Sequence, residues 1–175
     1  MNKISDDILC KVEKPSRYVG GELNQVIKDP KDVDIRFAFC FPDVYEVGMS
    51  HLGTRILYHT INLREDTYCE RTFAPWPDME ELMRKNNIPL YTLETKDSLD
   101  KFDILGFTLQ YEMSYTNILN MLDMSGIPFR ASERGEDDPI VMAGGPCAYN
   151  PEPLYDIVDF FELGEGEEMM NDVLD

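Results

Sequence analysis

From about residue 33 onward, short continuous apolar runs alternate with stretches in which apolar residues recur every three or four positions. The first pattern belongs to strands buried on both faces, the second to helices with one covered face. The runs 35–41 (IRFAFCF), 67–73 (TYCERTF), 102–109 (FDILGFTL), 140–143 (IVMA) and 157–163 (IVDFFEL) predict five strands. The second of these carries charge within it, at Glu70 and Arg71. Met49, Leu52, Gly53 and Ile56, at i, i+3, i+4 and i+7, predict one helix face ending near Asn62. Pro77, followed by acids and closed by Arg84 and Lys85, predicts a helix with Met79, Leu82 and Met83 as its core stripe. Tyr115, Ile118, Leu119 and Leu122 predict another, stopped by Gly126 and Pro128. Smaller pieces are an extended segment at 89–95, a short helix over 152–156 and the start of a last helix after 166.

Strands alternating with helices through short connections predict an α/β fold. The expected form is a five-stranded parallel sheet covered on both faces, a three-layer sandwich with the flavodoxin-like strand order 2-1-3-4-5. Residues 33–175 make up this domain and residues 1–32 an N-terminal arm. Within the arm, 5–14 reads as a helix with Ser5 as N-cap and Pro15 as its stop. A Gly20-Gly21 pair and a turn cluster at Asp29-Pro30-Lys31-Asp32 follow, with no clear period. The last predicted helix has barely begun at Asp175, so the chain reads as the front of a longer protein.

Composition narrows the classes. With 175 residues, 43% hydrophobic and 11% aromatic, the chain can build a full core and is not disordered. No apolar run is long enough for a membrane span, and the N-terminus lacks the apolar segment of a signal peptide, which points to the cytoplasm. A net charge of −18 repels phosphate backbones, so no nucleic-acid contact is expected. Cys10, Cys40, Cys69 and Cys147 are scattered without a CxxC pair and read as thiols rather than a disulfide frame or zinc knot.

In an open α/β sheet ligands bind beyond the carboxyl ends of the strands. The loops there are 42–50, 74–77, 109–114, 144–150 and 164–168. The first, FPDVYEVGMSHL at 41–52, offers Asp43, Tyr45, Gly48 and His51. A dinucleotide fingerprint GxGxxG, a P-loop GxxxxGK[ST] and a GxSxG nucleophile elbow are all absent. A flavodoxin-type phosphate loop rich in Ser and Thr is absent too. The acceptor Asp of a phospho-receiver domain is replaced by Thr108-Leu109-Gln110. His51 and His59 are eight residues apart, not the i, i+4 pair of a metal-binding helix. His59 reads as a partly exposed helix residue. No catalytic or metal-binding group is predicted. Gly144-Gly145 at the end of a buried strand lets backbone approach a bulky ligand, or makes a tight turn before Pro146.

AGGPCAYNPEPL, followed by IVDFFELGEGEE in a flavodoxin-like alternation, resembles the cobalamin-binding domain found at the front of many radical SAM enzymes. Together with KPSRYVGGELN, FPDVYEVGMSHLG and FAPWPDMEEL, it looks like an uncharacterised family of cobalamin-binding radical SAM proteins. The likeness runs from Lys14 to Glu168. It implies a corrinoid-binding module joined to a radical SAM domain of the same chain, whose [4Fe–4S] cluster and S-adenosylmethionine sit outside this segment. The CxxxCxxC motif that holds such a cluster is missing here.

The resemblance also implies roles for particular residues. Asp43, Tyr45 and Gly48 would lie at the corrin's lower side, Thr108 and Gln110 beside the nucleotide tail, Gly144 and Gly145 under it, and Glu165 and Gly166 at its adenine-like end. In the related DxHxxG loop a His supplies the lower cobalt ligand. Here Tyr45 stands in its place, a phenol with an ordinary pKa near 10, so no protein imidazole is expected below the cobalt. His51 is expected inside the following helix. Two alternatives accompany this reading: a degenerate domain kept as an interdomain scaffold, and a site for another nucleotide-like ligand.

Overall fold

Phe37 and Phe39 face one side of a central sheet, and Ala38 and Cys40 face the other, which is the period-two alternation of a strand buried on both faces. The computed structural model describes residues 4–175; residues 1–3 of the arm lie outside the described residues. The strands are β1 (Ile35–Phe41), β2 (Thr67–Phe73), β3 (Ile104–Thr108), β4 (Ile140–Gly144) and β5 (Phe160–Phe161). Every pair is parallel and the order is β2-β1-β3-β4-β5. This is the flavodoxin-like order expected.

Among the described residues seven α-helices complete the layers: α1 (Asp6–Leu9), α2 (Ser16–Val19), α3 (Tyr45–Ser50), α4 (Leu52–Asn62), α5 (Pro77–Lys85), α6 (Tyr115–Ser125) and α7 (Gly166–Leu174). The face of Ala38, Leu105, Val141 and Ala143 packs against Met79 and Met83 of α5 and against Ile118, Met121 and Leu122 of α6. The face of Phe37, Phe39 and Met142 packs against Tyr58 and Ile61 of α4 and against Met170 and Leu174 of α7. No helix of the described residues is long and apolar enough to cross a membrane.

The charges in β2 are resolved by the segment that runs along its outer edge. Leu93 N–H donates to the carbonyl of Arg71, so residues 91–95 cover that edge. Glu70 is fully buried, ion-paired to Arg36 Nη2 at 2.7 Å, and its other oxygen accepts from the Thr92 and Thr95 hydroxyls. Arg71 pairs with buried Glu94 at 2.8 Å and lies 4.0 Å over the Tyr58 ring. An uncovered edge strand is a pairing hazard; here a network of ion pairs and hydroxyl hydrogen bonds occupies it.

Four features differ from the sequence expectation. The predicted helix at 5–14 is one short turn, α1, because Cys10 already closes it and the chain turns toward α2. The arm then straps the domain: Ile8 and Val12 join the α5–α6 core, Tyr18 OH accepts from Trp76 N–H at 3.1 Å, and on the opposite layer Val26 N–H donates to Tyr58 OH at 2.8 Å. The strand predicted at 157–163 is only two residues long, since Ile157 and Val158 still belong to a turn bonded back to Leu154. The single helix expected through 49–62 is two helices broken at His51. Its buried face is Thr54, Tyr58 and Ile61, while Leu52 and Ile56 are exposed.

Candidate functional site

The break between α3 and α4 arises at His51, whose backbone is extended (φ −73°, ψ 120°). Its Nδ1 accepts from Thr54 N–H at 3.2 Å, which makes the imidazole the N-cap of α4. An Nδ1 that accepts leaves the ring proton on Nε2, and Nε2 donates to Gln110 Oε1 at 3.2 Å. Gln110 Nε2 in turn donates to Thr108 Oγ1 at 2.5 Å. This chain of side chains joins the helix layer to the carboxyl end of β3.

Beneath it lies a cleft of about 150 Å³ between the sheet and the α4–α7 layer. Phe37, Phe39 and Met142 line the sheet side; Leu57 and Met170 line the helix side. The polar groups are His51, Thr54, Thr108, Gln110, Glu162 and Glu167. The cleft lies over β1, β3 and β4, and so takes in the β1–β3 point where strand order reverses and where ligands of such sheets bind. Gly106 is what lets Phe37 lie flat there: a Cβ on Gly106 would come within 2.4 Å of the Phe37 ring. Gly145 takes φ +103°, a backbone state suited to glycine, and Cys147 N–H returns a hydrogen bond to Leu109 O.

Of the residues singled out from sequence, Thr108, Gln110, Gly144, Gly145 and Gly166 come together on this cleft. Asp43, Tyr45, Gly48 and Glu165 are not among its lining residues. Asp43 accepts from Tyr111 OH at 2.8 Å and from Val44 N–H at 2.7 Å. Tyr45 turns the other way, donating to Glu22 of the arm and meeting the Phe73 ring edge-on at 5.5 Å. Burial first, and the Glu22 carboxylate second, push the Tyr45 phenol up to about 12. Gly48 is buried where a Cβ would come within 2.3 Å of Phe73, so it permits α3 to cross the end of β2. Glu165 is exposed at the N-cap of α7. His51, expected within a helix, instead stands at the cleft mouth with both ring nitrogens committed.

Residues 53–175 match the family described as "Radical SAM proteins, N-terminal". The chain belongs to this family. An uncharacterized protein of Methanocaldococcus jannaschii is 26% identical over 131 residues, covering 74% of this chain and 24% of that protein. The chain thus spans about a quarter of the length of the relative it matches. In this radical SAM N-terminal domain the matched residues include Gly106, Thr108, Gln110, the Gly144-Gly145 turn and α7, while the 42–50 loop lies ahead of them.

Sequence reading missed Glu162. It follows β5 directly and is buried, with no hydrogen-bond partner for Oε1 among the described residues. Burial, reinforced by the neighbouring Glu167, raises its carboxyl above the usual range. The available signal was an acid enclosed by Phe160, Phe161 and Leu163, immediately before the GEGE turn. Among the described residues no three His, Cys, Asp or Glu side chains gather as a metal site.

Proposed function

We propose that this radical SAM N-terminal domain is a corrinoid-binding module whose cleft takes the nucleotide tail while the macrocycle rests over the carboxyl edge of the sheet. The observation that carries the reading is the cleft itself: glycine-lined, apolar-walled and open at the strand-order reversal. Its volume of about 150 Å³ is well below the roughly 300 Å³ at which sites begin to enclose a whole drug-sized ligand. That size fits one planar group inserted from a larger molecule, so the residues present suit a tail and not an engulfed corrin.

In this reading Phe37, Phe39, Met142 and Leu57 bury the base. Thr108 and Gln110 meet the tail at the mouth, and Gly144, Gly145 and Gly166 leave room for it. Asp43 and Gly48 hold the 42–50 loop within the fold and would not touch the tail. Tyr45 is bonded to Glu22 and both nitrogens of His51 are engaged, so neither side chain would be free to ligate the cobalt. Bound there, a corrinoid supplies a cobalt centre able to carry a methyl group. The chemistry of the parent protein, with its [4Fe–4S] cluster and S-adenosylmethionine, belongs to a radical SAM domain of the same chain, since CxxxCxxC is absent from this sequence. The module itself is not catalytic.

The scaffold reading draws on a different observation: Asp43, Tyr45 and Gly48 are all absorbed in contacts within the fold. Titration with hydroxocobalamin, followed by its absorption spectrum, separates the two. A saturable shift at sub-millimolar ligand is expected; a folded protein giving no shift supports the scaffold. A thermal-shift competition between cobalamin and free nucleotides tests whether another nucleotide-like ligand is preferred.

A further inference from the structure

Glu162 is about nine-tenths buried, yet its Oε1 has no partner although it lines an open cleft. A buried carboxyl is costly to leave unpaired, and the pairs elsewhere in the domain, Glu70 with Arg36 and Glu94 with Arg71, show the usual remedy. Among the described residues Glu162 has no such internal partner. Its carboxylate lies between two glycines. A Cβ on Gly144 would sit 3.2 Å from Oε2, and one on Gly166 would sit 3.4 Å from Oε1. A side chain at Gly144 would crowd the carboxyl where Glu162 lines the cleft wall.

The surroundings restrict what can reach it. Aromatic and aliphatic side chains form the two walls, which suits a flat ring. Among the described residues no Lys or Arg lines the cleft and Glu167 adds a second acid, so the tail's anionic phosphodiester stays outside it and only the neutral base enters.

We propose that Glu162 is the hydrogen-bonding anchor for a flat nitrogen base presenting an N–H edge, and that the cleft therefore prefers a corrinoid with an adenine lower base to one with dimethylbenzimidazole. This rests on the corrinoid reading above. As a carboxylate, Glu162 accepts from the exocyclic amine of adenine; as an acid, it also donates to the adjacent ring nitrogen. Dimethylbenzimidazole, attached through one nitrogen, offers a single ring nitrogen and no N–H. A carboxylate would face it lone pair to lone pair, and an acid would make one bond to it. In either protonation state adenine gains one more hydrogen bond.

The test titrates the full-length protein with cobinamide, which lacks the tail base, with cobalamin, and with its adenine-containing analogue, in wild type, Glu162→Gln and Glu162→Leu. The adenine corrinoid is expected to bind wild type at least about tenfold more tightly than cobalamin, the scale of one hydrogen bond to an ionisable group. Glu162→Gln, whose amide both accepts and donates, keeps the preference, and Glu162→Leu abolishes it. Equal affinities in wild type, or a preference that survives in Glu162→Leu, overturn this inference and leave corrinoid binding standing. The wild-type comparison decides by itself if Glu162→Leu does not fold. Failure of all three corrinoids to bind folded protein overturns both.

Discussion

His51 Nε2 donates to Gln110 Oε1 at 3.2 Å, so the residue that parts α3 from α4 is fastened to the end of β3. The same imidazole caps α4 through Nδ1. His51→Ala removes both contacts and is expected to destabilise the domain by about 0.5–2 kcal/mol, the range for losing a helix cap. Gln110→Ala leaves the cap in place and should cost less. Urea unfolding midpoints of the two variants check the order.

Gly106 and Phe37 occupy one space from two strands. Gly106→Ala brings a methyl within 2.4 Å of the Phe37 ring and should cost about 1–3 kcal/mol, as overpacked core sites do. Adding Phe37→Leu should recover part of the loss. Strict additivity in a denaturation double-mutant cycle would show that the two residues do not compete.

Tyr45 bonds to Glu22, not to the cleft. Tyr45→Phe should therefore leave the spectrum and affinity of a bound corrinoid unchanged, with a stability loss of about 0.5–1.5 kcal/mol for the missing hydrogen bond. An altered cobalt spectrum in this variant would return the phenol to the metal.

Much of this was legible in the chain because buried parallel strands announce themselves as unbroken apolar runs; β1 matches IRFAFCF residue for residue. The α4 face was not legible. The stripe Met49–Leu52–Ile56 presupposes one continuous helix; the break at His51 shifts the phase to Thr54, Tyr58 and Ile61. Two of those look polar, yet Tyr58 spends its hydroxyl on Val26 of the arm. The partners of Glu70 and Arg71 lie more than twenty residues away, at Arg36, Thr92 and Glu94, beyond any local pattern. At the site, the glycines and the Thr108–Gln110 pair were readable as strand-end residues. Glu162 was not, since one acid in an apolar strand run looks like an outward-facing position.

The Glu162 carboxyl is raised by burial and by Glu167. A folded state that holds this proton more tightly than the unfolded chain is stabilised below the usual carboxylate range, and that contribution is lost as pH rises through the raised value. His51 and Glu167 are the other titratable groups lining the cleft. Subtracting the stability–pH curve of Glu162→Gln from that of wild type should leave a difference that falls with rising pH above the ordinary carboxylate range. A difference that rises there would contradict the assignment.

As proposed, the cleft between β1, β3, β4 and the α4–α7 layer receives a corrinoid tail. The most direct test is a hydroxocobalamin titration of wild type beside Gly144→Leu, which sets a side chain against Glu162 at the cleft wall. A saturable spectral shift in wild type is predicted, weakened at least about tenfold, or by roughly 1.4 kcal/mol, in the variant. No shift with folded wild type, or equal affinity in Gly144→Leu, would contradict it.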